Sequence, residues 1–272
     1  MEGFVRVSSS FAKQLPKLNI NVQLILNTAA LIACFQSSGV KWLLVVSNIS
    51  LAKGTSIMKP TAFLRSSIKD FVLNVNNDYR YLKTGYYVSM HAEVLGNKVI
   101  PSSESIIDAN RTPILLLKAS KGGIPTLPYL VTDSVKRIMA AFDFPVVVFA
   151  VNPFSYDGFK TARNKSALYR GVKSLGMNYK FAVCVQPLRG EMISFKSIFG
   201  KCEQDQTIKE ISEKAYSVFK IPVCKLHVQR VDQEAFLCGL QPLKKEEISP
   251  YDMKTISEEI CQMSNLGERL IG

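Results

Sequence analysis

Residues 71–101 constrain this chain more than any other stretch. Residues 71–76 form a short run of β-branched and aromatic side chains bounded by turn formers, the pattern of a buried strand. Residues 77–85 lack that pattern and read as a loop. From Thr84 onward, Tyr87, Met90, His91, Val94 and Leu95 recur at helical spacing, which predicts a helix with one apolar stripe. Gly96 supplies the stop, because glycine accepts the left-handed conformation that ends many helices. Residues 98–101 read as the next strand. Strand, helix and strand in this order build a βαβ unit, and in such units ligands collect beyond the C-terminal strand ends. The loop expected there is basic, aromatic and rich in donors. Its candidate ligand-binding residues are Tyr79, Arg80, Tyr81, Lys83, Gly85, Tyr86 and Tyr87. The last of them fall at a helix N-terminus, where backbone N–H groups attract anions.

The same stretch resembles a known signature. Tyr79-Arg80-Tyr81, Gly85-Tyr86-Tyr87-Val88-Ser89, Ala92-Glu93, Gly96 and Ile100-Pro101-Ser102 are similar, in order, to the N-terminal domain that precedes the ATP-grasp module in RimK-like ligases. The resemblance implies an α/β fold: a mixed or mainly parallel sheet layered with helices, of the pre-ATP-grasp kind, plus a smaller α+β part. It continues in the strand and turn at 194–201, the strand at 221–228, the hairpin partner at 235–240 and a C-terminal helix from 250 to about 263. Between these, residues 123–128 resemble the loop by which ATP-grasp ligases enter their nucleotide-binding half. A helix over 134–142, capped by Ser134 or Asp133, and a strand over 144–150 follow.

In ATP-grasp enzymes this strand ends near a lysine for the nucleotide phosphates, and Phe149 stands at that position. A glycine-rich loop should follow, but 152–159 holds only Gly158 among bulky side chains. One glycine does not let successive N–H groups approach a triphosphate. Gln186-Pro187-Leu188 occupies the place of the adenine hinge. Leu240-Gln241-Pro242 stands where an acidic residue, a spacer and an asparagine would hold magnesium.

The remaining elements are simpler. A strand over 40–46, a short helix over 61–70, a loop and helix over 106–121, a helix over 166–175, a strand over 179–186 and an amphipathic helix over 208–219 complete the pattern. The expected organisation is an extension over 1–39, the α/β domain over 40–120, a reduced ATP-grasp-like segment over 121–190, and a continuation of the first domain over 191–272. The apolar run 22–35 contains Asn27 and Thr28 and is short for a membrane span. After Arg6, Lys13 and Lys17 it imitates a secretory signal but lacks a good cleavage site, so it reads instead as a core helix, an N-terminal accretion or a start site placed too far upstream.

Charge and cysteine usage narrow the function. A formal net charge of +12 favours acidic partners. The six cysteines form no C-x-x-C pair and there are only two histidines, so no metal site is expected and reduced thiols suit a cytoplasmic protein. His227 reads as packed or superficial and not as a base.

In the family that the resemblance points to, the ATP-grasp half joins an amino acid to a carboxylate through an acyl phosphate, using ATP and magnesium. At 272 residues the chain reads as too short for both the N-terminal domain and a complete ATP-grasp module. The first expectation is therefore a non-catalytic accessory module without a cofactor, recognising an acidic peptide or protein tail or docking on a separate ligase. The alternative is a divergent ATP-dependent carboxylate–amine ligase using ATP and magnesium. A third reading, from charge together with Tyr169 and Tyr179, is a nucleic-acid-binding protein.

Overall fold

The computed structural model describes residues 43–51, 57–151 and 158–269. The readings placed on 1–39, on the start of the first strand and on the loop 152–157 lie outside the described residues. The first layer is a parallel sheet of β1 (Leu43–Ser47), β2 (Ile57–Met58), β3 (Phe71–Val75) and β4 (Val99–Ile100), in the order β2-β1-β3-β4. Helix α1 is only Pro60–Phe63, shorter than the helix expected over 61–70. The reason is side-chain competition for its backbone. Ser66 Oγ donates to the Phe63 carbonyl at 2.8 Å, and Asn97 holds the Ile68 carbonyl and the Asp70 N–H, each at 2.9 Å.

Helix α2 (Thr84–Val94) joins β3 to β4, so the expected βαβ unit is present. Its buried face is not the expected stripe. Tyr87 is 38% exposed and Val94 79%, while Gly85, Tyr86, Val88, Ser89 and Ala92 are buried. Small residues win this face because the helix lies close to the sheet. The Asn74 amide of β3 donates to the Gly85 carbonyl at 2.7 Å and to Ser89 Oγ at 2.8 Å, and Ser89 Oγ donates to the Pro101 carbonyl at 2.6 Å. A Cβ on Gly85 would fall 2.6 Å from the Asp78 carbonyl oxygen.

The expected loop and helix after β4 are two helices, α3 (Ser103–Ala109) and α4 (Thr112–Lys121). Ser102 caps the first by accepting from the Ser105 N–H at 3.1 Å. A four-stranded antiparallel sheet follows: β5 (Leu130–Thr132), β6 (Val146–Ala150), β7 (Phe159–Ala162) and β8 (Val183–Pro187), ordered β5-β8-β6-β7. Helices α5 (Val135–Ala141) and α6 (Lys165–Leu175) cover one face, with Ile138, Leu168 and Val172 on Val146, Val148 and Val185. Strand β8 starts later than the expected 179 because Met177, Asn178 and Tyr179 all adopt positive φ (51°, 58° and 63°) and form a turn.

The third sheet is β9 (Glu191–Ile198), β10 (Val223–Val231) and β11 (Glu234–Gln241), antiparallel in the order β11-β10-β9. Helix α7 (Gln206–Phe219), α3 and α4 cover one face through Ile208, Phe219, Ile106 and Leu115 against Leu226, Val228 and Leu237. Helix α8 (Pro250–Arg269) places Ile256 and Ile260 against Ile198, Val223 and the parallel-sheet residues Val45 and Leu73. The α/β reading therefore holds, as one parallel and two antiparallel sheets. Among the described residues, no helix is long and apolar enough to cross a membrane.

The Asn74 contacts give a direct test of this packing. Asn74→Ala strands the Asn76 amide, which donates to Asn74 Oδ1, and removes the side-chain contacts to Gly85 and Ser89. A loss of about 1–3 kcal/mol for a stranded buried group is expected in urea unfolding. A loss below about 0.5 kcal/mol contradicts the account.

Candidate functional site

Four segments distant in sequence meet where the two antiparallel sheets face each other. Phe149, on β6, lies against Phe159 of β7 with ring centroids 5.5 Å apart. Phe159 in turn meets the His227 ring of β10 edge-on at 5.0 Å. Gly239 lies opposite His227 in the ladder, and a Cβ there would come within 3.0 Å of Phe149. Gly158 abuts Gln241, since a Cβ on it would fall 1.2 Å from the amide nitrogen. Leu188, Met192, Cys184 and Cys238 complete the layer. These segments include the positions that the resemblance assigns to the phosphate lysine, the glycine loop, the adenine hinge and the magnesium ligands. The fold brings them together.

What fills this place is apolar. Phe149 is 2% exposed, and Cys184 and Cys238 are fully buried, with burial pushing both thiols up to about 12. The hinge is strapped to β10: Gln229 accepts from the Arg189 N–H at 2.9 Å and donates to the Pro187 carbonyl at 3.0 Å. Gly190 is required there, because a Cβ would fall 1.9 Å from the Arg230 carbonyl oxygen. A triphosphate does not fit the interior of this layer.

The mouth is different. At the hinge end, Thr161, Arg163, Asn164, Leu188, Gly190 and Glu191 line an open cleft of about 540 Å³. That lies within the size range of small-molecule sites. Arg163 and Glu191 are exposed and form no ion pair among the described residues. No cluster of three or more metal-ligating side chains exists among the described residues. Magnesium in nucleotide sites needs only one or two carboxylates besides phosphates and water, and Glu191 can supply one. A magnesium nucleotide thus fits the mouth by size and donor set.

The loop singled out in the sequence divides into structural and exposed members. Tyr79 is 3% exposed, and its hydroxyl donates to the Asn74 carbonyl and accepts from the Asn76 N–H, both at 2.8 Å. Burial raises its pKa well above the usual value. Arg80 chelates Asp78 through Nε at 3.0 Å and Nη2 at 2.7 Å. Tyr86 is buried and meets Tyr81 and Tyr87 edge-on, at 5.1 and 5.9 Å. Tyr81, Lys83 and Tyr87 face outward. Near Thr84, the C-terminal ends of β1 and β2 enclose a cleft of about 520 Å³ with Asn48, Lys59 and Lys245. Sequence reasoning missed Glu191 and Lys245. Arg163 lies in sequence among Lys160, Lys165, Arg170, Lys173 and Lys180, and nothing in its spacing separates it from them.

His227 is 2% exposed, packed as the sequence suggested. Burial lowers its pKa to about 4, with Lys225 also lowering it and the Gln241 side chain partly offsetting both. The unfolded chain therefore binds a proton that the folded one refuses between pH 6.5 and 4, so stability falls as pH drops through that window. The displacement corresponds to about 3 kcal/mol. Unfolding of a His227→Gln variant over this range should show less acid loss than the parent, and equal loss in both contradicts the assignment.

Comparisons with solved structures place the fold. The chain is similar to a RimK-domain ATP-grasp protein from Sphaerobacter thermophilus DSM 20745, with 11% identity and a TM-score of 0.55 over 77% of this chain and 93% of that one. It is similar to D-alanine–D-alanine ligase from Bacillus anthracis, with 15% identity and a TM-score of 0.58 over 81% and 93%. The structure of that ligase complexed with ATP gives 14% identity and a TM-score of 0.55 over 86% and 98%. At these identities the likeness is one of fold. It nevertheless corrects two expectations. The chain is not too short for the ligase architecture, since it spans nearly all of these ligases, so the accessory-module reading falls. The expectation of no cofactor falls with it, because a fold relative was solved with ATP. No curated protein matches the chain. The model of the RimK-like ATP-grasp N-terminal domain matches residues 61–259, and the chain belongs to that family.

Proposed function

We propose that this chain is a divergent ATP-dependent carboxylate–amine ligase whose nucleotide binds in the hinge cleft. The observation that carries the reading is the alignment over 93% and 98% of ligase chains of the same fold. ATP, when bound, supplies the phosphoryl group that activates a carboxylate for amide formation. The chain's own part is positional. Arg163 offsets phosphate charge at the cleft, Glu191 offers a magnesium ligand, and the Gln229 strap keeps the hinge in place. The apolar layer behind Leu188 and Met192 keeps water from the floor.

The acceptor in this reading is an acidic peptide or protein tail. Lys83 supplies charge, Arg80 is held by Asp78 and frames the loop, Tyr81 and Tyr87 supply exposed aromatic surface, and the cleft with Lys59 and Lys245 receives a carboxylate. The described cysteines are all free, which suits a reducing cytoplasm.

Thermal melting with saturating Mg-ATP tests the nucleotide site. A ligand at a hundred times its Kd adds about 2.7 kcal/mol, a rise of about 5–10 °C for a chain of this size. The rise should vanish in Arg163→Ala, and Lys83→Ala should reduce only the rise with an acidic peptide. An equal rise in parent and Arg163→Ala contradicts the placement, and no rise at all contradicts the nucleotide.

A further inference from the structure

The cleft between β9 and the start of α8 holds a second chemical arrangement, independent of the ligase reading. Its volume is about 360 Å³, and Ser194, Lys196, Lys225, Tyr251, Asp252 and Thr255 line it. The ladder between β9 and β10 sets Ser194 opposite His227 and Lys196 opposite Lys225. Ser194 Oγ lies 2.7 Å from His227 Nδ1. The two members differ in accessibility: Ser194 is exposed at the cleft, and His227 is 2% exposed.

We propose that Ser194 and His227 form a nucleophile–base pair that accepts acyl groups from small carboxylic esters seated in this cleft. A serine that merely satisfies a buried histidine is the plainer explanation of the 2.7 Å contact. That explanation leaves the other ring nitrogen poorly satisfied, because Nε2 is buried without a well-formed hydrogen bond and only the Gln241 side chain stands near it. A stranded buried donor costs about 1–3 kcal/mol, and groups of this kind call for a reason. It also leaves unexplained why the hydroxyl faces an open cleft.

The ring is held in one orientation by Phe159 at 5.0 Å and by Gly239 across the ladder. The β10–β11 register shifts between His227 and Val228, and such bulges re-aim side chains beside active sites. Nucleophile, base and an orienting environment are the parts that covalent catalysis needs. Burial keeps the imidazole neutral at physiological pH, so its Nδ1 can accept the Ser194 hydroxyl hydrogen.

Two cations stand beside the hydroxyl on the same sheet face. Lys196 directs its ammonium to Asp252 and to the Glu247 carbonyl, and Lys225 pairs with Glu247. An ammonium has three donors, so these contacts leave capacity for a developing oxyanion.

In the reaction, Ser194 Oγ bonds to the ester carbonyl carbon and its proton passes to His227 Nδ1. The bond to the alcohol oxygen breaks and the imidazolium returns the proton to the departing alkoxide, leaving an acyl-serine and an alcohol. Water then adds to the acyl carbon, freeing Ser194 and releasing the carboxylic acid.

An alkyl fluorophosphonate tests the pair on the full chain. Attack forms a phosphorus–oxygen bond at Ser194 and releases fluoride, with the serine proton taken by His227. We expect one adduct, mapped to Ser194 by peptide mass and absent from Ser194→Ala, whose cooperative melting and circular dichroism show that it is folded. His227→Gln should slow labelling about 100-fold, the order of a lost general base. If His227→Gln folds poorly, Ser194→Cys gives a second measurement. The thiol introduced by that substitution should react with iodoacetamide at least about tenfold faster than the exposed Cys261 in the same molecule. No adduct in the parent, an adduct on another residue, labelling indifferent to His227→Gln, or an introduced thiol in Ser194→Cys no faster than Cys261 would each overturn the proposal.

Discussion

The layer of Phe149, Phe159, Leu188, Met192, Cys184 and Cys238 between the two antiparallel sheets governs what this molecule can bind. Each member removes apolar area from water at about 25 cal/mol per Å², so together they hold the sheets face to face. The same packing excludes a polyanion, because charge moved into such a layer goes unpaired. Open clefts lie at the rims, at the hinge on one side and along β9 on the other. The hinge itself is short of slack. Gln229 holds it by two hydrogen bonds, and the Gly190 backbone sits against the Arg230 carbonyl with no room for a side chain. The charged side chains Arg163 and Glu191 lie at the mouth, outside the apolar layer.

The β9 side is organised by charge. Burial alone would raise the Asp252 carboxyl, but Lys196 and the Ser249 contacts hold it below the usual carboxylate range. Glu247 behaves alike, with Lys225 and the Lys244 N–H outweighing burial. These pairs tie α8 and its approach to the third sheet. They also keep two ammonium groups next to Ser194. The carboxylates are only partly buried, so solvent screening makes their value as position greater than their value as stability.

Much of the fold was legible in the sequence where local pattern and tertiary role agree. The β3–α2–β4 unit, the Ser134 cap, the helix ending at Phe219 and the β10–β11 hairpin all have such patterns. The buried face of α2 was not legible. Hydrophobic spacing chose Tyr87 and Val94, whereas the fold buries Gly85, Ser89 and Ala92 because Asn74 draws the helix onto the sheet. Strand register hid the Ser194–His227 pair, which only the β9–β10 ladder creates across 33 residues of sequence. The nucleotide positions were recognisable as places but not as contents. Phe149 and Gln241 stand where other chemistry was expected, and the residues that line the open cleft, Arg163 and Glu191, carry no local signal.

The central claim is that this chain consumes ATP to join a carboxylate to an amine. It is tested most directly by mass spectrometry of a reaction holding the full chain, Mg-ATP, an acidic peptide and a mixture of free amino acids. The account predicts ADP and phosphate in step with a peptide heavier by one amino-acid residue, and neither product when the amino acids are omitted. Unchanged peptide with no ADP above the protein-free control would contradict it.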